Sequence, residues 1–185
     1  MAAPRKEDIK NVIIEAAQGL LDKKMLADIS LAEIASAAGV SKGTLYYHYK
    51  TKNEILFDIT DRYLEQQWND LVAWTENPQK DTSLPRLVRY VIERNISTPA
   101  LRIHLVCDAI TGNEEIRARL NARYADFEKL IAEKIGERTQ KIPPDFFSWL
   151  ILLTSDGLFI QRLLKNGDIN IDEFIDFVIN YIKLQ

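Results

Sequence analysis

Between Ser41 and Lys52 this chain places Lys42, Lys50 and Lys52, together with His48, among hydroxyls and aromatic rings, with no carboxylate in the interval. Ammonium and imidazole groups donate to phosphate oxygens, and small or hydroxyl-bearing neighbours such as Ser41, Gly43 and Thr44 fit against base edges. The chemistry available here is recognition of a nucleic-acid backbone and groove. A second group, His104, Cys107 and Asp108, falls at i, i+3 and i+4, so one helical face carries all three. That spacing suits metal ligation or a Cys–His pair. Ligands from one helix do not close a metal site, however, and His48 is the only other histidine. The expectation is no metal, no cofactor and no catalytic residue. These residues are read as lining a small-molecule pocket or as bonding locally to backbone.

The elements that position the first group can be read from caps and periodicity. Ser30 and Glu33 have the S-x-x-E spacing of a capping box, and Leu31, Ile34, Ala35 and Ala38 follow at helical spacing. Ile29 and Ile34 occupy the positions of a hydrophobic staple. Gly39 stands where a positive φ would stop the helix, and Val40 can plug the turn. Ser41 caps a second short helix, predicted from Lys42 to about Tyr49. In that helix Leu45 and Tyr49 share the inward face, while Gly43, Thr44, Tyr47 and Lys50 share the outward arc, with Lys42 at the start and Tyr46 and His48 on the flanks. Four consecutive rings, from Tyr46 to Tyr49, cannot all face inward, which argues against an ordinary core helix. Thr51 and Glu54 repeat the cap spacing and open a longer helix. Two short helices around a glycine turn form a helix-turn-helix.

The run Ile34-Ala35, Ala38-Gly39-Val40-Ser41-Lys42-Gly43-Thr44-Leu45-Tyr46-Tyr47-His48-Tyr49 and Lys52 resembles the DNA-binding segment of the tetracycline-repressor (TetR) family. The resemblance covers about the first sixty residues. It implies an all-helical, dimeric bacterial transcription factor with a ligand pocket in its helical body and a dimer contact through its last two long helices. Tyr49 departs from the phenylalanine common in the family, so its hydroxyl must find a partner or reach the surface.

Charge partition agrees with a reader at the front. The net charge of −3 divides into +2 over residues 1–52 and −5 over the remainder, an asymmetry that would orient the molecule toward a polyanion. One cysteine, Cys107, excludes an intrachain disulfide. The longest apolar run, Trp149 to Leu153, is too short to span a bilayer, and no leader pattern is visible at the N-terminus. A cytoplasmic protein with no membrane association is expected. Arg5 and Lys6 are candidate backbone contacts, although most terminal basic residues are merely solvated.

About nine helices are expected and no strands. Helix 1 is predicted over Lys6–Asp22 and helix 4 over Lys52–Thr75, with five more from Leu84, Ala100, Glu114, Asp145 and Ile171, broken by Pro, Gly and Asn pairs. The domain division expected is 1–52 for DNA binding and 53–185 for ligand binding and dimerisation. The helix from Asp145 is apolar almost all round, so a second subunit is expected against it. Gly157 in its middle suggests a close backbone approach. The last helix offers a stripe of Phe174, Ile175, Val178 and Ile182, flanked by Phe177 and Tyr181. Candidate pocket residues are Trp68, Tyr90, His104, Cys107, Asp108, Trp149 and Asp156. The expected function is a DNA-binding regulator, a homodimeric repressor released from double-stranded operator DNA by a small effector. The alternatives are a small all-α enzyme using His104, Cys107 and Asp108, and a DNA binder of the same family without a ligand.

Overall fold

The computed structural model describes residues 6–96 and 99–183; of these, the side chains of residues 6, 7, 95, 96, 99 and 100 are not described. The contact expected from Arg5 therefore lies outside the described residues, as does that from the Lys6 side chain. Within them the chain is all helical, with nine α-helices, one 3-10 turn and no strand: α1 Lys6–Leu21, the 3-10 turn Leu26–Asp28, α2 Leu31–Ala37, α3 Lys42–His48, α4 Lys52–Thr75, α5 Leu84–Ile96, α6 Pro99–Ile110, α7 Glu114–Gly136, α8 Pro144–Leu163 and α9 Ile171–Lys183. Among the described residues no helix is long and apolar enough to cross a membrane.

The helices form two compact units, one containing the chain up to Glu65 with Ala100–Arg117, the other Gln66–Pro99 with the chain from Ala118 onward. In the first, Ile13, Ile14, Ala17 and Leu21 of α1 close on Ile34, Ala35, Leu45, Tyr49, Ile55 and Ile59. Ile29 and Ile34, the expected staple, are both buried. Leu101 of α6 packs against this same core. In the second, α5 lies against α8 and α9, burying Leu87, Val88, Val91 and Ile92 among Phe147, Ile151, Leu152, Ile175 and Ile179.

The apolar stripe of α9 turns inward: Ile175, Ile179 and Ile182 are buried, and the residues left on the outside are Phe174, Phe177 and Tyr181. In a helix where nearly every second residue is apolar, periodicity alone does not fix which arc faces the core. On α8 the exposed apolar residues are Phe146, Trp149, Leu150, Leu153 and Ile160, with Leu164 at the C-cap. Gly157 lies on this open side, and a Cβ built there would meet nothing within 4 Å. The close approach expected at Gly157 is therefore not made among the described residues of the protomer.

Candidate nucleic-acid interface

The turn between α2 and α3 is set by hydrogen bonds that the sequence spelled out. The Ser30 hydroxyl accepts from Glu33 N at 3.1 Å, and the Glu33 carboxylate accepts from Ser30 N at 2.9 Å, closing the capping box. The Glu33 carboxyl is held at about 2 by its hydrogen bond with Lys24, then by the backbone and hydroxyl of Ser30. A depressed carboxyl contributes stability above its unfolded value and loses it as the pH falls through the folded one. Amide protection at the start of α2 is therefore expected to be complete above the ordinary carboxylate value and to decline progressively as the pH falls from there toward about 2, which hydrogen exchange would register.

At the other end Gly39 has φ +65°. Gly39 N donates to Ser36 O and Val40 N to Ala35 O, the paired bonds of a Schellman turn. Ser41 then accepts from Thr44 N at 3.0 Å, and the Ser41 and Thr44 hydroxyls meet at 2.8 Å. Thr51 accepts from Glu54 N, and Glu54 accepts from Lys50 N. Both helices on either side of α3 are thus capped, so α3 is anchored at its ends as well as by its buried face.

That face is Leu45 and Tyr49, at 0% and 1% exposure. The Tyr49 hydroxyl donates to Asp58 Oδ2 at 2.7 Å, the same oxygen that accepts from Lys10 Nζ at 3.3 Å. Burial, then the Asp58 hydrogen bond, raises the phenol above its ordinary value, so Tyr49 stays a neutral donor. The hydroxyl that departs from the family pattern is spent on tying α3 to α4.

The opposite arc is open. Ser41, Lys42, Gly43 and Lys50 are exposed, Thr44 and His48 half-buried, and Tyr46 and Tyr47 show 47% and 67% of their surface. Tyr47 meets His48 edge-on with ring centres 5.1 Å apart. Lys50 folds its ammonium back onto Tyr46 O at 2.6 Å, a C-terminal carbonyl of α3. Gly43 takes no positive φ, and a Cβ there would touch only the Ser41 hydroxyl at 3.7 Å, an ordinary contact. Among the described residues, neither backbone conformation nor the space for a Cβ requires glycine at this position.

Lys52 is placed less freely than its sequence position suggested. Its ammonium donates to Leu26 O at 3.0 Å and Ala27 O at 3.4 Å, closing the 3-10 turn from the start of α4. Lys52→Met is expected to lower stability by about 1 kcal/mol and to reduce the salt slope of DNA binding by about one phosphate's worth. A lowered melting temperature with an unchanged slope would assign Lys52 to the turn alone.

The seven candidate pocket residues are divided between the two units. His104, Cys107 and Asp108 sit on α6 in the first unit. His104 Nε2 lies 2.6 Å from Leu21 O, the end of α1, so the ring donates there, while its buried Nδ1 has no hydrogen-bond partner among the described residues. Asp108 accepts from Asn113 Nδ2 at 2.5 Å, and Asn113 N donates to Asp108 O. Two of the three side chains weighed for an enzyme, His104 and Asp108, thus bond at helix ends. Among the described residues no group of three or more His, Cys, Asp or Glu could hold a metal. In the second unit, Trp68 tilts against Phe127, Tyr90 stacks on Trp74 with ring centres 4.4 Å apart, and Asp156 accepts from the Tyr124 hydroxyl at 2.9 Å. Trp149 stands 42% exposed on the open side of α8. Residues that sequence reasoning did not single out are Phe127, Arg94 and Arg123, whose guanidiniums lie over aromatic rings. An Arg on an amphipathic helix gives no sequence signal of that placement.

Comparison with known proteins places these features in a family. Residues 13–59, from α1 through the first turns of α4, match the model described as bacterial regulatory proteins, tetR family. The HTH-type transcriptional regulator EthR of Mycobacterium tuberculosis is 35% identical over 77 residues, 42% of this chain and 36% of that protein. The chain thus spans little more than a third of the length of that relative. EthR of Mycolicibacterium smegmatis is 32% identical over 167 residues, covering 88% of this chain and 76% of the relative. Among solved structures, a candidate transcriptional regulator from Saccharomonospora viridis in complex with choline superposes with a TM-score of 0.79 at 22% identity, over 94% of this chain and 95% of that one, which shows a shared fold. With the helix-turn-helix matched by the family model and a relative at 32% identity matched over 76% of its length, the chain belongs to the TetR family of transcriptional regulators, which are not enzymes.

Proposed function

We propose that this protein is a cytoplasmic, homodimeric repressor that reads operator DNA with α3 and is released by a small-molecule effector. Residues 1–52 do the reading, and 53–185 carry the dimer contact and the effector. The observation that carries the DNA reading is the acid-free, exposed arc of α3, with Gly43 at its leading end and Leu45 and Tyr49 locked behind it. Since the protein's own packing leaves room for a side chain at Gly43, the demand for glycine comes from outside, where a phosphate or base edge approaches the helix.

Gly43→Val tests this. Its side chain is expected to leave the melting temperature unchanged or slightly raised, because glycine is the weaker helix former by up to about 1 kcal/mol. Operator affinity should fall at least tenfold. Opposite signs in the two measurements are the signature of an external contact. A parallel loss of stability and binding would return Gly43 to a role within the fold.

The dimer contact is supported by the open side of α8. Phe146, Leu150, Leu153, Gly157, Ile160 and Leu164 recur at alternating spacings of four and three, all exposed, which is the seam of one helix packing on another. Phe174, Phe177 and Tyr181 of α9 add a second exposed apolar row. Apolar rows on two consecutive helices fit a two-fold, four-helix contact. The effector reading is supported by family membership and by the choline bound in the solved relative.

A further inference from the structure

Two cavities of the second unit, of about 370 and 310 Å³, are lined chiefly by charged and polar groups around Arg86 and Arg89 of α5, where Arg89 already pairs with Glu93 and Asp176. A third, of about 260 Å³, opens between α5, α8 and α9, and no charged side chain lines it. Its floor is Val88 and Ile92 of α5, at 0% and 1% exposure, and its rim is Leu150 of α8 with Phe177 and Tyr181 of α9. The hydroxyls of Thr154 and Tyr181 are its only polar side-chain groups. Neither hydroxyl bonds to another described residue.

Lining and size decide what fits there. A carboxylate or a quaternary ammonium in this cavity would shed its water without meeting an opposite charge, which is strongly unfavourable. An uncharged apolar body gains by leaving water, and the two hydroxyls supply hydrogen bonds for one polar group on it. An apolar cavity of about 150 Å³ holds one benzene, so this one has room for a larger molecule. The rim lies in the apolar rows that the dimer contact would cover, which puts a partner across the mouth. One phenyl ring from that partner would fill only about the 150 Å³ that benzene fills, and close-packed contacts do not retain the void left over. A small molecule beneath the partner completes the packing, and its arrival changes what the two subunits press against.

We propose that the cavity between α5, α8 and α9 is the effector site, and that it takes an uncharged, largely apolar molecule of about ten non-hydrogen atoms, one per protomer at the edge of the dimer contact. The assignment rests on the effector-responsive dimer proposed above, and it separates this chain from a relative that holds choline.

The test uses the full-length protein with naphthalene, indole and 1-octanol as uncharged probes, and octanoate and choline as charged ones, at matched ionic strength. Octanol and octanoate share a chain and differ in charge. Calorimetry reads binding, sedimentation the dimer mass, and anisotropy of labelled operator DNA its release. At least one uncharged probe is expected to bind once per protomer and to weaken operator affinity at least tenfold, while octanoate and choline do not bind. Thr154→Leu and Val178→Phe, which fill the cavity from α8 and from α9, should each weaken probe binding tenfold or more, with helicity and dimer mass retained. Failure of all three uncharged probes to bind would overturn the site and give the groove to the partner's own side chains, leaving the effector reading standing. Equal probe affinity in wild type and both filled variants would overturn the site as well. Octanoate or choline bound as tightly as the uncharged probes would overturn the assigned class. Probe binding that the filled variants block, but that leaves operator affinity unchanged, would support the site and sink the effector reading instead.

Discussion

Leu153→Glu combined with Phe177→Glu should convert the protein to a folded monomer that no longer holds its operator. Both side chains are largely exposed, at 63% and 69%, so their loss removes almost nothing from the protomer's own core, and such surface changes ordinarily shift stability by no more than about 0.5 kcal/mol. In the dimer proposed here the same positions lie inside an apolar contact. Each chain would bring two carboxylates into it, and unpaired buried charge costs far more than the contact returns. Two reading helices held on one frame bind their half-sites with the gain of an intramolecular second step, on the order of 10²–10⁴. Operator affinity should fall by that factor. Sedimentation and an anisotropy titration read the two effects together, and an unaltered dimer mass would take α8 and α9 out of the interface. Gly157→Leu tests the same seam from its centre, where the protomer itself leaves open space.

Leu45→Ala should disable the reader by a different route. Leu45 is wholly buried between α1, α2 and the start of α4, and truncating a leucine in such a place costs about 2–5 kcal/mol. A small unit has little stability to lose. The expected result is an early melting transition and loss of DNA binding, with the dimer mass kept by a second unit whose core the substitution does not touch. Dissociation of the dimer by Leu45→Ala would mean that assembly depends on the reader.

What the sequence made legible is what short-range chemistry decides. Ser30 with Glu33, Gly39 with Val40, and Ser41 with Thr44 act over three or four residues, and each forms the bond that its spacing implied. The inward pair Leu45 and Tyr49 follows from a 100° step per residue. What stayed hidden depends on contacts between distant segments. The tie from Lys52 to the carbonyls of Leu26 and Ala27 could not be foreseen, because nothing near Lys52 in sequence reveals that three-residue turn, which has no periodic signal. The apolar stripe of α6 does not say which core it joins, and it joins the first through Leu101, with His104 meeting the end of α1. The cation-faced rings of the second unit need residues from α4, α5 and α7 at once. Residue type on a single helix likewise did not show that Trp149 stands on the open side of α8 or that Asp108 bonds to Asn113 in the loop after its own helix.

The most direct measurement is protection mapping on the DNA flanking the protein's own coding sequence, repeated at rising salt and with Thr44→Ala. Reading by α3 from a two-fold dimer predicts paired protected half-sites, their centres about 34 Å or a multiple of it apart. That protection should fade steeply as salt rises, and Thr44→Ala should relax the preference at particular base pairs within each half-site. Uniform coverage without discrete half-sites, or protection indifferent both to salt and to Thr44→Ala, would contradict the assignment of α3 as the reading element.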